Sequence, residues 1–288
     1  MTCWVCGEDS TLLKKGVDIN NVGSNDFNIT DKNYGQHLSI FLCNECGFKF
    51  CKEASTITKF YEEMEDVDYI EGENPRAIQA KKLINQALKW KPEINRKLLD
   101  IGAGAGILVK EASNAGFLSE GIEPSEYLTN RARKNNIKVH QGTLDDCKFD
   151  YKFDVITCID VIEHVSDPIK LLQGIYENLE KDGIAIIVTP DIDSLMSKIM
   201  KWKWWHIRIA HIAYFNKKTL EIALNKTRLK SIHWSRPTWY FTIGYLIDRV
   251  TVYLPFLKIF KSLNFINNTI IPLNLGDSYL IVVNKDDK

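Results

Sequence analysis

Residues 98–106 read LLDIGAGAG: an apolar run, an acid, then three glycines separated by single alanines. Such a turn commits the chain to a strand, a tight bend and a helix, and it leaves backbone amides bare at the helix mouth where a ligand can approach. Strand-like and helical stretches alternate around it. KLLDIG is followed by a helix over about 107–115, then LSEGIE, a helix from Ser125 to Asn135, KVHQG, FDVITC, a helix after Asp167-Pro168, and IAIIVTP. This alternation predicts an α/β, Rossmann-like, mostly parallel seven-stranded sheet with helices on both faces, its ligand crevice at the carboxyl ends of the strands.

The rest of the chain divides around that core. Residues 1–55 hold four cysteines among Gly, Asn, Asp and Ser, with too few apolar periodicities to bury much by themselves. Residues 56–94 read as a helical linker or lid, in which Asn74-Pro75 looks like an N-cap with proline at the first helical position. Residues 95–288 form the main domain, with 191–215 and 238–271 inserted beside the crevice. A helix over 217–226, the strand LKSIHW, a helical insertion and the last strand SYLIVV complete it. At 288 residues and 45% hydrophobic, the chain can bury one large core plus a small module.

The turn departs from the dinucleotide fingerprint G-x-G-x-x-G, because the third position is Ile107 and Gly106 falls one residue early. A second acid, Glu123, ends the next strand about twenty residues beyond Gly102, where a carboxylate can accept from both hydroxyls of a ribose. With these residues the stretch 95–190 resembles the class I S-adenosylmethionine-dependent methyltransferases. The resemblance implies that Asp100, Gly102, Gly104 and Gly106 face a methionine moiety, that Glu123 takes the ribose, that Thr143 and Leu144 flank the adenine, and that Cys158 lines the crevice. The competing reading is an ordinary strand–helix turn with glycine chosen for packing.

Methyl transfer from a sulfonium is an in-line displacement, and a hydroxyl acceptor must lose a proton, so a histidine of near-neutral pKa is wanted at the crevice. CIDVIEHVSDP, residues 158–168, offers Asp160, Glu163 and His164. It resembles the E-x-x-E-H segment of quinone-pathway O-methyltransferases, with Asp160 in place of the first glutamate. That implies a base role for His164 or, with the acids, help in binding a divalent ion; the alternative is that Glu163-His164 caps the next helix. HIAYFN, residues 211–216, resembles an H-x-x-Y/F-F segment that would turn His211 toward the acceptor, against the alternative of a hydrogen-bonded core histidine.

Cys3-x-x-Cys6-Gly7 and Cys43-x-x-Cys46-Gly47 are two knuckles of one design. Each turns two thiolates to one point, and four sulfurs close a tetrahedral zinc site with no open position, which makes the expected zinc structural rather than catalytic. Redox-active pairs are the other reading. A zinc ribbon joined to a methyltransferase resembles the rRNA guanine-N1 methyltransferases, although those have a shorter gap between the cysteine pairs and lack the Glu-His segment. A closer resemblance, carried by YGQHLSIFLCNECGFKF and FYEEMEDVDYIEGENPR, is to bacterial methyltransferases with paired cysteine modules that serve modified sugars and surface glycans. It implies that Tyr69 folds over the cofactor.

The formal net charge is zero, yet residues 195–272 carry thirteen Lys/Arg against Glu221 and Asp248, a net +11, and five of the seven tryptophans. An imbalance of this kind reports a partner. The ribbon has no basic stripe, so nucleic acid is not the expected one. Residues 238–260 are nearly apolar but interrupted by Asp248, Arg249, Pro255 and Lys258, which argues against a clean membrane span. Tyr240, Ile243, Ile247, Val250 and Leu254 instead predict a helical stripe that serves as a cap, a homodimer contact, or a peripheral contact with an anionic bilayer. With Cys3 and Cys6 arriving at once, the opening residues do not read as a leader, so the expected compartment is the cytosol, with peripheral contact at the inner face of the membrane. The resulting expectation is a methyltransferase for a small or lipid-linked anionic acceptor, most plainly a sugar hydroxyl in glycan or nucleotide-sugar synthesis. An RNA methyltransferase using the basic segment, and a non-catalytic binding protein on the same fold, are the alternatives.

Overall fold

The computed structural model describes residues 1–52, 57–66, 69, 72–93, 95–256 and 267–286. Parts of the 56–94 linker and of the 238–260 and 238–271 stretches therefore lie outside the described residues.

The main sheet runs β10-β13-β8-β7-β4-β5-β6, where β4 is Lys97–Ile101, β5 Leu118–Glu123, β6 Val139–Gln141, β7 Phe153–Ile159, β8 Leu179–Pro190, β10 Leu229–Ser235 and β13 Ser278–Lys285. Strands β4 to β8 pair in parallel, whereas β13 is antiparallel to both its neighbours. The central strands are apolar on both faces, since Leu98 and Leu99 of β4 and Val155 and Ile156 of β7 are all fully buried. One face packs Leu98, Val155 and Ile186 against Ala80, Leu83, Ile84 and Ala87 of α2 (Glu73–Trp90), which follows the short α1 (Ile57–Glu62), and against Leu108 and Ala112 of α3 (Ile107–Asn114). The other packs Leu99, Ile156 and Cys158 against Leu172 and Ile175 of α5 (Pro168–Asn178) and Leu220 and Leu224 of α7 (Lys217–Lys226).

Local signals set the helix starts. Ser125 caps α4 (Glu126–Lys134) by accepting from the Leu128 amide, and Asp167 caps α5 ahead of Pro168. At α2 the expected cap is corrected: Gly72 holds that position and Asn74 lies inside the first turn.

The N-terminal region does not stand apart. Its strands β1 (Ser10–Lys14), β2 (Ile40–Cys43) and β3 (Lys49–Cys51) are continued by β9 (Ala213–Tyr214), which comes from the segment after Pro190. Phe27, Leu38, Ile40 and Cys51 share a buried cluster with Trp204, Ile207, Ile209 and Ile212. The short strands before position 55 carry too little apolar periodicity to enclose a core alone, and they complete it with the 204–214 segment.

The stripe expected over 238–260 is also corrected. Trp239–Thr242 is a strand, β11, paired with β12 (Ile270–Leu273), and the helix α8 covers only Ile243–Val250. Thr242 caps that helix by accepting from the Tyr245 amide, so Tyr240 belongs to the strand and Leu254 lies beyond the helix end. Among the described residues no helix is long and apolar enough to cross a membrane.

Candidate active site

The turn between β4 and α3 has the bare backbone its sequence requires. Gly102, Gly104 and Gly106 all have positive φ, at 75°, 54° and 78°, a region side chains rarely enter. Space is tight as well: a Cβ on Gly102 would stand 2.4 Å from Val161 Cγ2, and one on Gly104 2.6 Å from the Tyr69 hydroxyl. The Gly102 and Ala103 amides donate to Ile122 O, both at 2.9 Å, which ties the turn to β5.

Two buried carboxylates border it. Asp100 accepts from Thr157 Oγ1 at 2.6 Å, and Glu123 accepts from the amides of Gly104 and Ser125 at 2.8 and 2.9 Å. Burial pushes both up to about 7; the Thr157 hydrogen bond opposes it at Asp100, and the two amides oppose it at Glu123. Glu123 uses each oxygen once, which leaves lone pairs for a diol. Thr143 is ordered by Asp146, which accepts from its amide and hydroxyl, and Leu144 is buried near Gly174. Cys158 is placed differently from the expected crevice-lining role. It is fully buried in the core cluster with Leu99 and Ile101, on the face of the sheet opposite Asp100 and Thr157.

Tyr69 lies over the turn, with the Arg76 guanidinium carbon 4.0 Å from its ring centroid. Beside it the opening lined by Tyr69, Ala105, Ile107, Arg131 and Ile137 holds only about 10 Å³, one water's worth.

The second part of the site begins where Val161 meets Gly102. The short turn Ile162–His164 after β7 brings Glu163 and His164 beside His211, and ligand atoms of the three lie within 4.8 Å of one another. Two candidates drawn from sequence stretches nearly fifty residues apart thus share one site. The His164 and His211 rings meet edge-on at 4.6 Å, and His206 stacks on His211 at 5.5 Å. His164 Nδ1 lies 2.9 Å from Ala210 O and 2.5 Å from the Tyr61 hydroxyl. Nδ1 thus sits between a carbonyl, which only accepts, and a hydroxyl, which both donates and accepts and also donates to Ala210 O at 3.2 Å; a proton on Nδ1 leaves the lone pair on Nε2.

The electrostatics differ from what a free imidazole would give. Burial, with Arg208 nearby, drives His164 down to about 3 rather than the near-neutral value expected, and burial with His164 beside it drives His211 well below its ordinary value. Glu163 is pushed well up by burial and by Asp160, and Asp160 is raised to about 7 by burial and Asp277 while Arg76 opposes the shift. Glu163 Oε2 accepts from Thr189 Oγ1 at 2.9 Å, but Glu163 Oε1 and Asp160 Oδ1 are buried without a partner among the described residues. Unpaired buried acceptors are poised for an incoming donor.

Tyr61, Arg76, His206 and Asp277 were not legible as site residues. Tyr61 meets His164 across 103 positions, and Asp277 accepts from the Trp205 indole at 2.9 Å from the far end of the chain. No local pattern announces such contacts.

The four cysteines converge as their spacing requires. All four Sγ atoms lie within 4.8 Å, with Cys3–Cys46 at 3.7 Å and Cys6–Cys43 at 3.3 Å. Sulfurs at 2.3 Å from a tetrahedral zinc stand about 3.8 Å apart, so the set fits one. The Val5, Cys6 and Cys46 amides point at the sulfurs. Although burial opposes it, the amides of Cys46 and Glu45 hold the Cys43 thiol down to about 6.

A sequence model of the methyltransferase-domain family matches residues 72–233, more than half of the chain. The ubiquinone biosynthesis O-methyltransferase of Haemophilus ducreyi is 35% identical over 106 residues, covering 33% of this chain and 45% of that protein. That of Actinobacillus pleuropneumoniae is 36% identical over 107 residues, with the same two coverages of 33% and 45%. The chain thus spans less than half the length of these curated relatives. The crystal structure of an S-adenosylmethionine-dependent methyltransferase from Clostridium acetobutylicum superposes with a TM-score of 0.50 at 12% identity, covering 72% of this chain and 90% of that one, a likeness of fold. By its matched residues, its strand order and its glycine turn, the chain belongs to the methyltransferase-domain family.

Proposed function

We propose that the chain is an S-adenosylmethionine-dependent O-methyltransferase. The observation that carries the reading is the juxtaposition of the glycine turn and Glu123 with the Glu163–His164–His211 group through the Gly102–Val161 contact. Glu123 would hold the ribose hydroxyls, the bare amides of the turn would admit the amino-acid tail, and Asp100 would face its ammonium. Bound there, S-adenosylmethionine would supply an electrophilic methyl group on a sulfonium.

His164 would take the acceptor's proton on Nε2 while Ala210 O holds Nδ1–H in place. With burial holding its pKa down to about 3, the imidazole would meet the acceptor neutral and would become positive on taking its proton. A cofactor that arrives as a cation and leaves neutral would keep the charge of the buried site constant, which would offset the weakness of the base. Glu163 Oε1 and Asp160 Oδ1 would accept from further hydroxyls of the acceptor.

The acceptor class we favour is a sugar hydroxyl, nucleotide-linked or lipid-linked, supported by the resemblance of the cysteine module. The names of the relatives, ubiquinone biosynthesis O-methyltransferases, support a hydroxyl of a ubiquinone precursor as the second acceptor. For a lipid-linked acceptor the chain would work in the cytosol at an anionic membrane face. Leu195 and Ile199 on α6 (Leu195–Met200) are 67% and 61% exposed beside exposed Lys198, Lys201 and Lys203, and Tyr253, whose chain neighbours Val252 and Leu254 are exposed, donates its hydroxyl to Lys203 O. Aromatic and basic groups in this arrangement suit the headgroup region. The four thiolates would hold a structural zinc.

The test of the enzyme reading is turnover of labelled cofactor on candidate acceptors with wild type and His164→Ala. Loss of transfer with S-adenosylhomocysteine still bound supports the base role; full turnover in His164→Ala removes it.

A further inference from the structure

We propose that the cysteine module is a positioning element of the histidine site: its strand β3 holds Ile212 and so sets His211 against His164. The meaning of that site rests on the methyltransferase reading above. The Cys51 amide donates to Ile212 O at 2.8 Å, and the Ile212 amide donates to Glu163 O at 2.9 Å. One residue, next to His211, is therefore clamped between the module and the turn that carries Glu163 and His164. The ladder continues with Phe50 opposite Ala213 and Lys49 opposite Tyr214.

Side chains repeat the link. Phe48 follows the second knuckle and packs its ring 4.8 Å from Phe215 and 5.6 Å from Phe50, while Trp4, inside the first knuckle, lies 4.8 Å from Phe50. Phe48, Phe50 and Phe215 are fully buried in the same cluster as Cys3, Cys43 and Cys46. The glycine turn is anchored otherwise, by its amides on Ile122 O within the main sheet. A metal that closes the two knuckles ties the Cys43–Cys46 turn, which joins β2 to β3, to the first knuckle and so fixes the register of β3. Its loss frees Ile212 and the histidine next to it while leaving the glycine turn in place.

The experiment compares zinc-loaded full-length protein with the same protein after chelation, using histidine C2-hydrogen exchange read by mass spectrometry and calorimetric titration with S-adenosylhomocysteine. Exchange at His164 and His211 is expected to rise about tenfold or more in the zinc-free protein, as for a locally opened segment, with His140 on β6 unchanged. Affinity for S-adenosylhomocysteine should stay within about threefold, and added zinc should reverse the change. Unaltered exchange at both histidines overturns the proposal, as does a collapse of cofactor affinity in step with it. Phe48→Leu keeps all four cysteines and guards against a chelated protein that unfolds. It should raise exchange at His211 about two- to fivefold with cofactor affinity intact, and no change there overturns the proposal independently. A wild-type protein that binds no S-adenosylhomocysteine refutes the methyltransferase reading instead and leaves the exchange result standing.

Discussion

The glycine turn and the histidine group solve the same problem, a polar site inside an apolar fold, in opposite ways. At the turn the polar work falls to main-chain amides and to two carboxylates whose partners lie close by: Glu123 bonds Gly104 and Ser125, and Asp100 bonds Thr157 on the neighbouring strand. The histidine group is assembled from Tyr61, the Ile162–His164 turn, the 206–211 segment and Asp277, and it depends on neighbours supplied by the N-terminal region. The contrast teaches that the first site is stiff because its strands are, whereas the second is only as fixed as the segment bearing His211.

The largest expected effect is at Glu123. Glu123→Ala removes a carboxylate proposed to take two charge-assisted hydrogen bonds, about 3 kcal/mol together or roughly a hundredfold in affinity, so S-adenosylhomocysteine titration should show near-complete loss. Unchanged binding would mean that the turn, not its acid, does the recognising. Gly104→Ala comes next. It forces a side chain to φ 54° and to 2.6 Å from the Tyr69 hydroxyl, and thermal unfolding should show a loss of about 1–3 kcal/mol. A neutral result would place Tyr69 away from the turn.

Arg76→Gln probes the border between the two sites. Its Nε is buried without a partner among the described residues, and its charge opposes the rise of Asp160. Removing the cation should weaken S-adenosylhomocysteine about tenfold, near 1.4 kcal/mol, and an unaltered dissociation constant would detach Arg76 from the site.

Acidity separates the two regions by sign. His164 stays neutral in the fold down to about 3, against an ordinary 6.5, so below 6.5 the unfolded chain takes up a proton the fold refuses, and stability is lost as pH falls toward 3. Asp100 and Glu123, held near 7 against ordinary values of 3.8 and 4.5, act oppositely: their cost is full above 7 and is relieved as pH falls toward 4. Melting temperatures of ligand-free His164→Gln should therefore fall less than wild type between pH 6.5 and 4, and Glu123→Gln should gain most at pH 8. Parallel profiles for both variants would erase the distinction. The smallest effect is expected at the surface. Leu195→Asp should leave stability within about 0.5 kcal/mol while reducing flotation with anionic vesicles, and undiminished flotation would put any membrane contact elsewhere.

The difference between the regions also explains what could be read from the residues alone. Asp100, the three glycines and Glu123 lie within one strand–helix–strand unit, so the chemistry and the spacing that reports it are local. The knuckles are local too, and Cys3 and Cys43 needed only the ladder between β1 and β2 to meet. His164 and His211 could each be named, but their meeting depends on Ile212 pairing with Glu163, a contact over 49 positions. Cys158 was placed by strand position alone, and the alternation of faces on β7 sends it into the core instead. Nor could the fall of His164 to about 3 be read, because it comes from burial by Tyr61 and the 206–211 segment rather than from its own neighbours in sequence.

The central claim is that the glycine turn with Glu123 binds an adenosyl amino acid. Calorimetric titration of the wild-type chain with S-adenosylhomocysteine tests it most directly. One saturable site per chain is expected, with the chain protected against thermal unfolding at saturation. No heat of binding and no protection against thermal unfolding at saturating ligand would contradict it.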